Sequence, residues 1–194
     1  MPDQPDPPVT TLNGDNVEIS WVEPGTGGSP VTFYQITVLQ NDGLTYRPDL
    51  TNCDGSDATI FANRMCSIPV LYLKASPFYI EWAGSVYAKV VAVNVYGYSN
   101  PSEPGNGATL QTNPDAPIQV LEVFDYRTET DLGISWTDGF DGGTPIIYYE
   151  VQYDQGIGSW TTVATNNVGS EYVQTGLTIG EYYSFRVKAR NDFD

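Results

Sequence analysis

Few side chains in this sequence could carry out chemistry. Its 194 residues contain no His, which removes the commonest general base and the commonest metal ligand. The nearest approach to a catalytic carboxylate pair is Asp138 and Asp141, three positions apart in a Gly-rich stretch. A glycosidase needs two carboxylates at a fixed separation inside a cleft, whereas a pair in a Gly-rich turn is most often solvated. We therefore predict no catalytic residue, no cofactor and no metal site, and hence no enzyme.

The two cysteines, Cys53 and Cys66, lie 13 positions apart inside a segment, residues 44–66, that is inserted relative to the second half of the chain. In a secreted protein this spacing within one inserted hairpin indicates a local disulfide. Such a bond would stabilise the fold by about 3 kcal/mol. Two free thiols remain the alternative, because a closed zinc site needs more ligands than two Cys and no His provide.

The charge balance restricts the kinds of partner. Eight Lys and Arg stand against 24 Asp and Glu, which gives a net charge of −16. Nucleic acid and anionic membrane surfaces require a basic footprint, so both are excluded as expected partners. No apolar run approaches 18 residues, so we predict no membrane insertion. Acidic loops are compatible with calcium, but their pattern does not assign a calcium site.

The elements that must carry these residues occur twice. A stretch that begins at Trp21 returns 115 positions later at Trp136, with its Gly-Gly, Pro and Tyr landmarks in place. Apolar residues alternate before each Trp and after each Pro, and a period of two predicts half-buried strands. The large side chains on these strands are predicted to fill two small cores. The predicted core residues are Trp21, Tyr34, Trp136, Tyr149 and Tyr183.

The repeat sets the predicted domain organisation. Residues 1–8 form a Pro-rich, linker-like lead-in, residues 9–111 a first domain with the Cys-containing insertion, residues 112–117 a linker, and residues 118–194 a second domain. Turn signals every 8–15 residues and 14 Tyr favour an all-β sandwich or barrel. The second domain stops soon after its Tyr183–Asn191 strand, so we predict that it lacks its last strand. We expect the whole chain to be a segment of a longer protein.

These motifs resemble a known family. The Trp strand, the Gly-Gly-Ser/Thr-Pro loop and the late run Tyr183-x-Phe185-x-Val187-x-Ala189 are similar to fibronectin type III domains. The resemblance implies two consecutive immunoglobulin-like β-sandwiches, with Tyr183 closing a tyrosine corner in the second. In the first domain Val86 occupies the position of that tyrosine. The Cys-containing segment also resembles repeats of very large secreted and cell-surface proteins of protists.

Fold alone does not assign function. The resemblance implies a non-catalytic extracellular or cell-surface segment with a structural or adhesive role in a larger surface or filament-forming protein. Its implied partners are other protein chains, copies of itself or neighbouring repeats. The alternative is a ligand-binding ectodomain fragment of a cell-surface receptor. The possible partner contacts are the loop aromatics Trp82, Tyr96, Tyr98 and Phe140.

Overall fold

The computed structural model describes residues 1–193, and these residues divide into two compact β units. Unit 1 is Met1–Leu110 and unit 2 is Gln111–Asp194. Each unit buries its own set of apolar side chains. The predicted all-β fold with two immunoglobulin-like sandwiches is confirmed.

Unit 1 has two main sheets and one short ribbon. The first sheet has the order β1-β2-β5, the second has the order β4-β3-β7-β8, and β6 pairs with β9. All the pairs are antiparallel. The strands are β1 (Val9–Asn13), β2 (Asn16–Ser20), β3 (Phe33–Leu39), β4 (Tyr46–Arg47), β5 (Met65–Pro69), β6 (Ser85–Val86), β7 (Ala88–Asn94), β8 (Gly97–Tyr98) and β9 (Ala108–Thr109), and the helices are α1 (Ala58–Asn63) and α2 (Val70–Lys74).

Unit 2 repeats this plan with two three-stranded sheets, ordered β10-β11-β14 and β13-β12-β15. Within residues 1–193 its second sheet ends at β15. The strands are β10 (Ile118–Val123), β11 (Leu132–Thr137), β12 (Tyr148–Asp154), β13 (Thr161–Asn167), β14 (Glu171–Gln174) and β15 (Ser184–Arg190), and a 3₁₀ turn spans Phe124–Tyr126.

A Trp–Tyr pair lies at the centre of each core. The ring centroids of Trp21 and Tyr34 are 5.3 Å apart at an interplanar angle of 65°. Those of Trp136 and Tyr149 are 5.2 Å apart at 66°. All four side chains are buried. Edge-to-face contacts of this kind add to the free energy gained from burial, and the repeated sequence reproduces them almost unchanged.

The insertion is not the hairpin that the sequence suggested. It contains the two-residue strand β4, a loop and the helix α1 before the chain enters β5. Asp57 caps α1, because its side chain accepts hydrogen bonds from the amides of Thr59 and Ile60. Six residues are too few to show a helical period, so the sequence pattern does not predict this helix.

The Pro-rich lead-in packs against unit 1 instead of behaving as a free linker. Pro2, Pro5 and Pro8 are buried while the residues between them are exposed, a period of three that is typical of polyproline II. The amide of Asp3 donates to the carbonyl of Gly25 at 2.8 Å. Gln4 Nε2 donates to the carbonyl of Pro101 at 2.7 Å. Pro has no backbone N–H that needs a hydrogen-bond acceptor. A Pro-rich segment can therefore pack against unit 1 without forming the hydrogen bonds of a β-ladder.

Candidate protein-interaction surface

A groove of about 240 Å³ lies on the outward face of the second sheet of unit 1. Its floor is the outward side of β3, one wall is the insertion, and the other wall is Tyr98 of β8. We call it the unit 1 groove. Its lining includes Phe33, Gln35, Pro48, Leu50, Ser56 and Tyr98.

The alternation of β3 positions the floor of the groove. Tyr34, Ile36 and Val38 are buried in the core, so Phe33 and Gln35 point to the opposite face of the sheet. The Phe33 ring lies edge-on to Tyr98, with centroids 6.3 Å apart. The β7–β8 pairing, Val93 with Tyr98, therefore brings an exposed aromatic ring beside the floor.

The insertion is held against β3 by two connections. Cys53 and Cys66 form a disulfide and both are buried, so the loop that carries Cys53 is tied to β5. The Tyr34 amide donates to the Gly55 carbonyl at 3.1 Å, which extends the edge of β3 beyond its pairing with β4. A Cβ on Gly55 would collide with the Tyr34 carbonyl, so glycine permits this close approach.

The exposed apolar residues around the groove are its main chemical feature. Leu50 is 69% exposed and Tyr98 is 59% exposed. Next to Tyr98, on the same β7–β8 turn, Tyr96 is 65% exposed. Asp54 adds a carboxylate to the lining, and its pKa is held below the usual value by hydrogen bonds from Ser56. The groove thus offers an apolar, aromatic floor and walls with an anionic rim.

The other two predicted partner contacts lie away from the groove. Trp82 is half-buried and packs against the unit 1 core, with the Lys74 ammonium 4.5 Å from its ring centroid. Phe140 belongs to the Gly-rich loop of unit 2 and is 40% exposed. Of the four aromatics predicted as contacts, only Tyr98 lines the unit 1 groove, and Tyr96 lies exposed on the turn before it. Leu50 and Phe33 were not predicted from the sequence. Phe33 directly precedes the inward-facing Tyr34, and this alternation is the pattern that predicts an outward side chain at Phe33.

The carboxylates of unit 2 have structural partners. Asp138 accepts a hydrogen bond from the Tyr149 hydroxyl, and Asp141 accepts one from the Gly143 amide at 2.9 Å. Burial, together with the hydrogen bond to Asp138, raises the pKa of Tyr149 to about 12. These contacts support the core and the loop, and both carboxylates also line one pocket of unit 2 together with Phe140 and Val168.

Tyr183, predicted as a core residue, is not part of the unit 2 core. It is half-buried, and its ring centroid lies 5.9 Å from that of Tyr153. The Thr178 amide donates to its hydroxyl at 2.8 Å. This bond joins Tyr183 to the loop between β14 and β15, so the residue closes the corner there.

Within residues 1–193, no group of three or more acidic or Cys side chains is placed to hold a metal ion. No helix in that range is long and apolar enough to cross a membrane.

Comparison with known proteins agrees with the two-sheet architecture of unit 2. Residues 116–193 match the fibronectin type III domain family. Unit 2 is a fibronectin type III domain. Domains A168–A170 of titin, a solved structure, align with 100% of this chain and 62% of their own at a TM-score of 0.55 and 20% identity, which is a likeness of fold.

Curated relatives extend the sequence likeness beyond the fibronectin type III domain of unit 2. The neuronal cell adhesion molecule of Gallus gallus is 32% identical over 97% of this chain. A sidekick homolog of Caenorhabditis elegans is 33% identical over 54% of it, and the striated-muscle M-protein of Gallus gallus is 28% identical over 95%. The chain spans only 14%, 5% and 12% of these proteins, respectively.

Proposed function

We propose that this chain is a non-catalytic segment of a larger extracellular or cell-surface protein and that it acts by contacting other protein chains. The observation that carries the proposal is the apolar, partly aromatic groove of unit 1, which is built on a rigid sheet and walled by a disulfide-tethered insertion. Likeness to a cell adhesion molecule over 97% of the chain supports the adhesive role. The buried disulfide supports an oxidising, extracellular location.

The groove has the composition of a protein contact site. Aromatic residues are enriched where proteins bind one another, since their rings supply large contact areas at little cost in conformational entropy. Phe33 and Tyr98 provide such rings, and Leu50 stands opposite them on the insertion. We infer that an extended apolar segment of a neighbouring protein occupies the unit 1 groove.

An adhesion assay tests this function. Cells of the source organism are seeded on surfaces coated with the wild-type chain, with the variant L50D/Y98A, or with the control I179D, whose target in unit 2 is 68% exposed. Loss of two central contacts should reduce adhesion at least tenfold, as removal of about 2 kcal/mol does, while I179D should match wild type. Adhesion no better than to an albumin-coated surface would refute the adhesive role. Adhesion to L50D/Y98A equal to that on wild type would show that the unit 1 groove does not contribute to adhesion.

The alternative function, a receptor ectodomain fragment, has one observation in its favour. Tyr96 lies on the β7–β8 turn and is 65% exposed. In this case a single soluble ligand would form a one-to-one complex with the chain in solution, which sedimentation measurements detect. Substitution of Tyr96 by Ala would then weaken that complex, whereas adhesion between surfaces would depend on Leu50 and Tyr98.

A further inference from the structure

A pocket of about 640 Å³ opens beside the core residue Tyr149 of unit 2. Two carboxylates, those of Asp138 and Asp141, share its lining with Phe140, Tyr149 and the exposed Val168. The Tyr149 hydroxyl donates to Oδ1 of Asp138, so Oδ2 of that carboxylate can still accept from a ligand. Within residues 1–193, neither carboxylate forms an ion pair with Lys or Arg. We call this pocket the unit 2 acidic pocket.

The repeat shows what the corresponding site of unit 1 holds. At the offset of 115 positions, Glu23 and Tyr34 correspond to Asp138 and Tyr149. Arg64 donates to Oε2 of Glu23 through Nη2 at 2.8 Å and through Nε at 3.3 Å. Burial raises the pKa of Tyr34, Glu23 adds to the rise, and Arg64 opposes it, so the guanidinium also acts on the hydroxyl. A carboxylate and a tyrosine at these two positions therefore accommodate a guanidinium.

Unit 2 has a different residue at the position that supplies this guanidinium. The amide of each core Trp donates to a carbonyl at 3.0 Å, that of Arg64 for Trp21 and that of Ser170 for Trp136. The strands that follow these residues, β5 and β14, pair with β2 and β11 in the same register. Ser170 therefore occupies the position of Arg64, and its short side chain carries no charge. The described part of unit 2 thus has the acceptor of this pair without its cation.

The lining of the unit 2 acidic pocket suits a guanidinium better than a metal ion or an ammonium group. Two carboxylates are fewer oxygen ligands than a calcium site needs. A guanidinium is planar, its donors form a fork that matches a carboxylate, and its face packs on aromatic rings. Asp138 provides the carboxylate and Phe140 a ring that is 40% exposed. Pro145 and Ile146 add apolar walls, on which the methylene groups of an arginine can pack.

We propose that the unit 2 acidic pocket binds an arginine side chain presented by a partner protein, as unit 1 binds its own Arg64. The exposure of the walls favours a protein side chain over a small molecule. Asp138, Asp141 and Val168 are exposed, whereas a small-molecule site encloses most of its ligand. An arginine on a protein needs no such enclosure, because the surrounding partner surface covers the rim of the pocket. This site goes beyond the unit 1 groove, and neither site requires the other.

A nuclear magnetic resonance titration of the whole chain with N-acetylarginine methylamide tests the proposal. About 150 mM NaCl screens the general attraction of a cation to this acidic chain. The amide signals of Gly139 and Phe140 should shift and saturate. The citrulline analogue has nearly the same shape but no charge, so it should bind at least about tenfold more weakly. The lysine analogue should also bind more weakly, because an ammonium lacks the planar fork.

Variants locate the binding site. D138N removes the charge but keeps an acceptor, so binding of the arginine probe should fall at least about tenfold. S170R supplies an internal guanidinium and should exclude the probe to a similar extent. The control E181Q removes a charge from an exposed carboxylate outside the pocket and should bind like wild type. L50D/Y98A alters only the unit 1 groove and should also bind like wild type, so failure of the groove proposal and failure of this one are distinguishable.

Four results would overturn the proposal. The first is a wild type whose Gly139 and Phe140 signals do not approach saturation at about 100 mM of the arginine probe. The second is equally tight binding of the citrulline or lysine analogue. The third is unchanged binding to D138N or S170R, and the fourth is a loss in E181Q equal to that in D138N. If D138N does not show the circular dichroism spectrum of wild type, D141N replaces it, with the same expected direction.

Discussion

The acidic residue two positions after each core Trp has a different partner in each unit. In unit 2 Asp138 accepts directly from the core Tyr149 hydroxyl. In unit 1 the equivalent Glu23 is paired with Arg64, which follows the inserted helix. Burial raises the pKa of Tyr34, with Glu23 adding to the effect and Arg64 opposing it. The insertion thus brings a cation to the site of unit 1 that corresponds to the Tyr149–Asp138 pair of unit 2.

The Tyr149 pKa of about 12 predicts an alkaline loss of stability. Because the folded state holds this proton more tightly than the unfolded state, the contribution is fully present below pH 10, the ordinary pKa. It is lost as the pH rises from 10 towards 12. Ultraviolet titration of tyrosinate should show that Y149F lacks one group titrating near pH 12.

The substitution D138N is the control for the Tyr149 titration. It removes the neighbouring charge but keeps a hydrogen-bond acceptor, so the Tyr149 pKa should fall while remaining above 10, since burial is the larger cause. A difference titration between wild type and Y149F with its midpoint near 10 would contradict the assignment.

At the scale of elements, the two units differ at one edge of the second sheet. This edge is the outer side of β7 in unit 1 and of β15 in unit 2. In unit 1, residues 99–105 run along β7 without forming a regular ladder. Ser99 and Ser102 are buried, and their hydroxyls accept hydrogen bonds from the amides of Ala92 and Val90, each at 3.0 Å. In unit 2 the equivalent amides, those of Ala189 and Val187, lie on β15, the last strand of its sheet in the described residues.

Amide exchange should report this difference between edges. We predict that the Val187 and Ala189 amides exchange at least tenfold faster than those of Val90 and Ala92, because an edge strand lacks partners on one side. Hydrogen exchange followed by nuclear magnetic resonance measures all four. Extending unit 2 after Asn191 with the sequence of residues 95–111 should slow exchange at β15. Equal rates in the two units of the unextended chain would contradict the prediction.

The disulfide is predicted to stabilise the insertion more than the rest of unit 1. Removing it with C53S/C66S should lower the free energy of unfolding of unit 1 by about 3 kcal/mol, since the unfolded chain regains the freedom of a closed loop. The Gly55 contact with Tyr34 should loosen as well, so peptides covering residues 48–56 should take up deuterium faster. The unfolding transition of unit 2 is the internal control. An unchanged transition of unit 1 would show that the bond contributes little.

At the scale of the whole molecule, the chain has two separate cores, each built around its own Trp. Trp21 and Trp136 are 6% and 5% exposed, respectively. Nothing in either core requires the other, so each unit should unfold in its own transition.

Substitution of each core Trp tests this independence. W21A should destabilise unit 1 by about 3–5 kcal/mol, because a large cavity is left in the core, and W136A should do the same to unit 2. Urea unfolding, followed by the fluorescence of the remaining Trp residues and by circular dichroism, separates the two transitions. If either substitution lowered both transitions equally, the cores would not be independent.

Local patterns in the sequence determined much of this fold. The alternation around Trp21 and Trp136 predicted the central strands, because a half-buried strand shows its inward face every second residue. The repeated landmarks predicted two sandwiches, and the spacing of Cys53 and Cys66 indicated the disulfide that the structure contains. Each of these conclusions needed only residues that are close in the chain or that recur at a fixed interval.

Only the tertiary structure decided which side chains form the surfaces. Leu50 meets Phe33 and Tyr98 because the insertion folds back on β3, and Trp160 meets Arg186 because β13 and β15 flank β12. Such contacts depend on strand order and register, which join residues far apart in the chain. The packing of the lead-in could not be predicted from the sequence either. The burial of Pro2, Pro5 and Pro8 depends on the loops that face them and not on their own sequence.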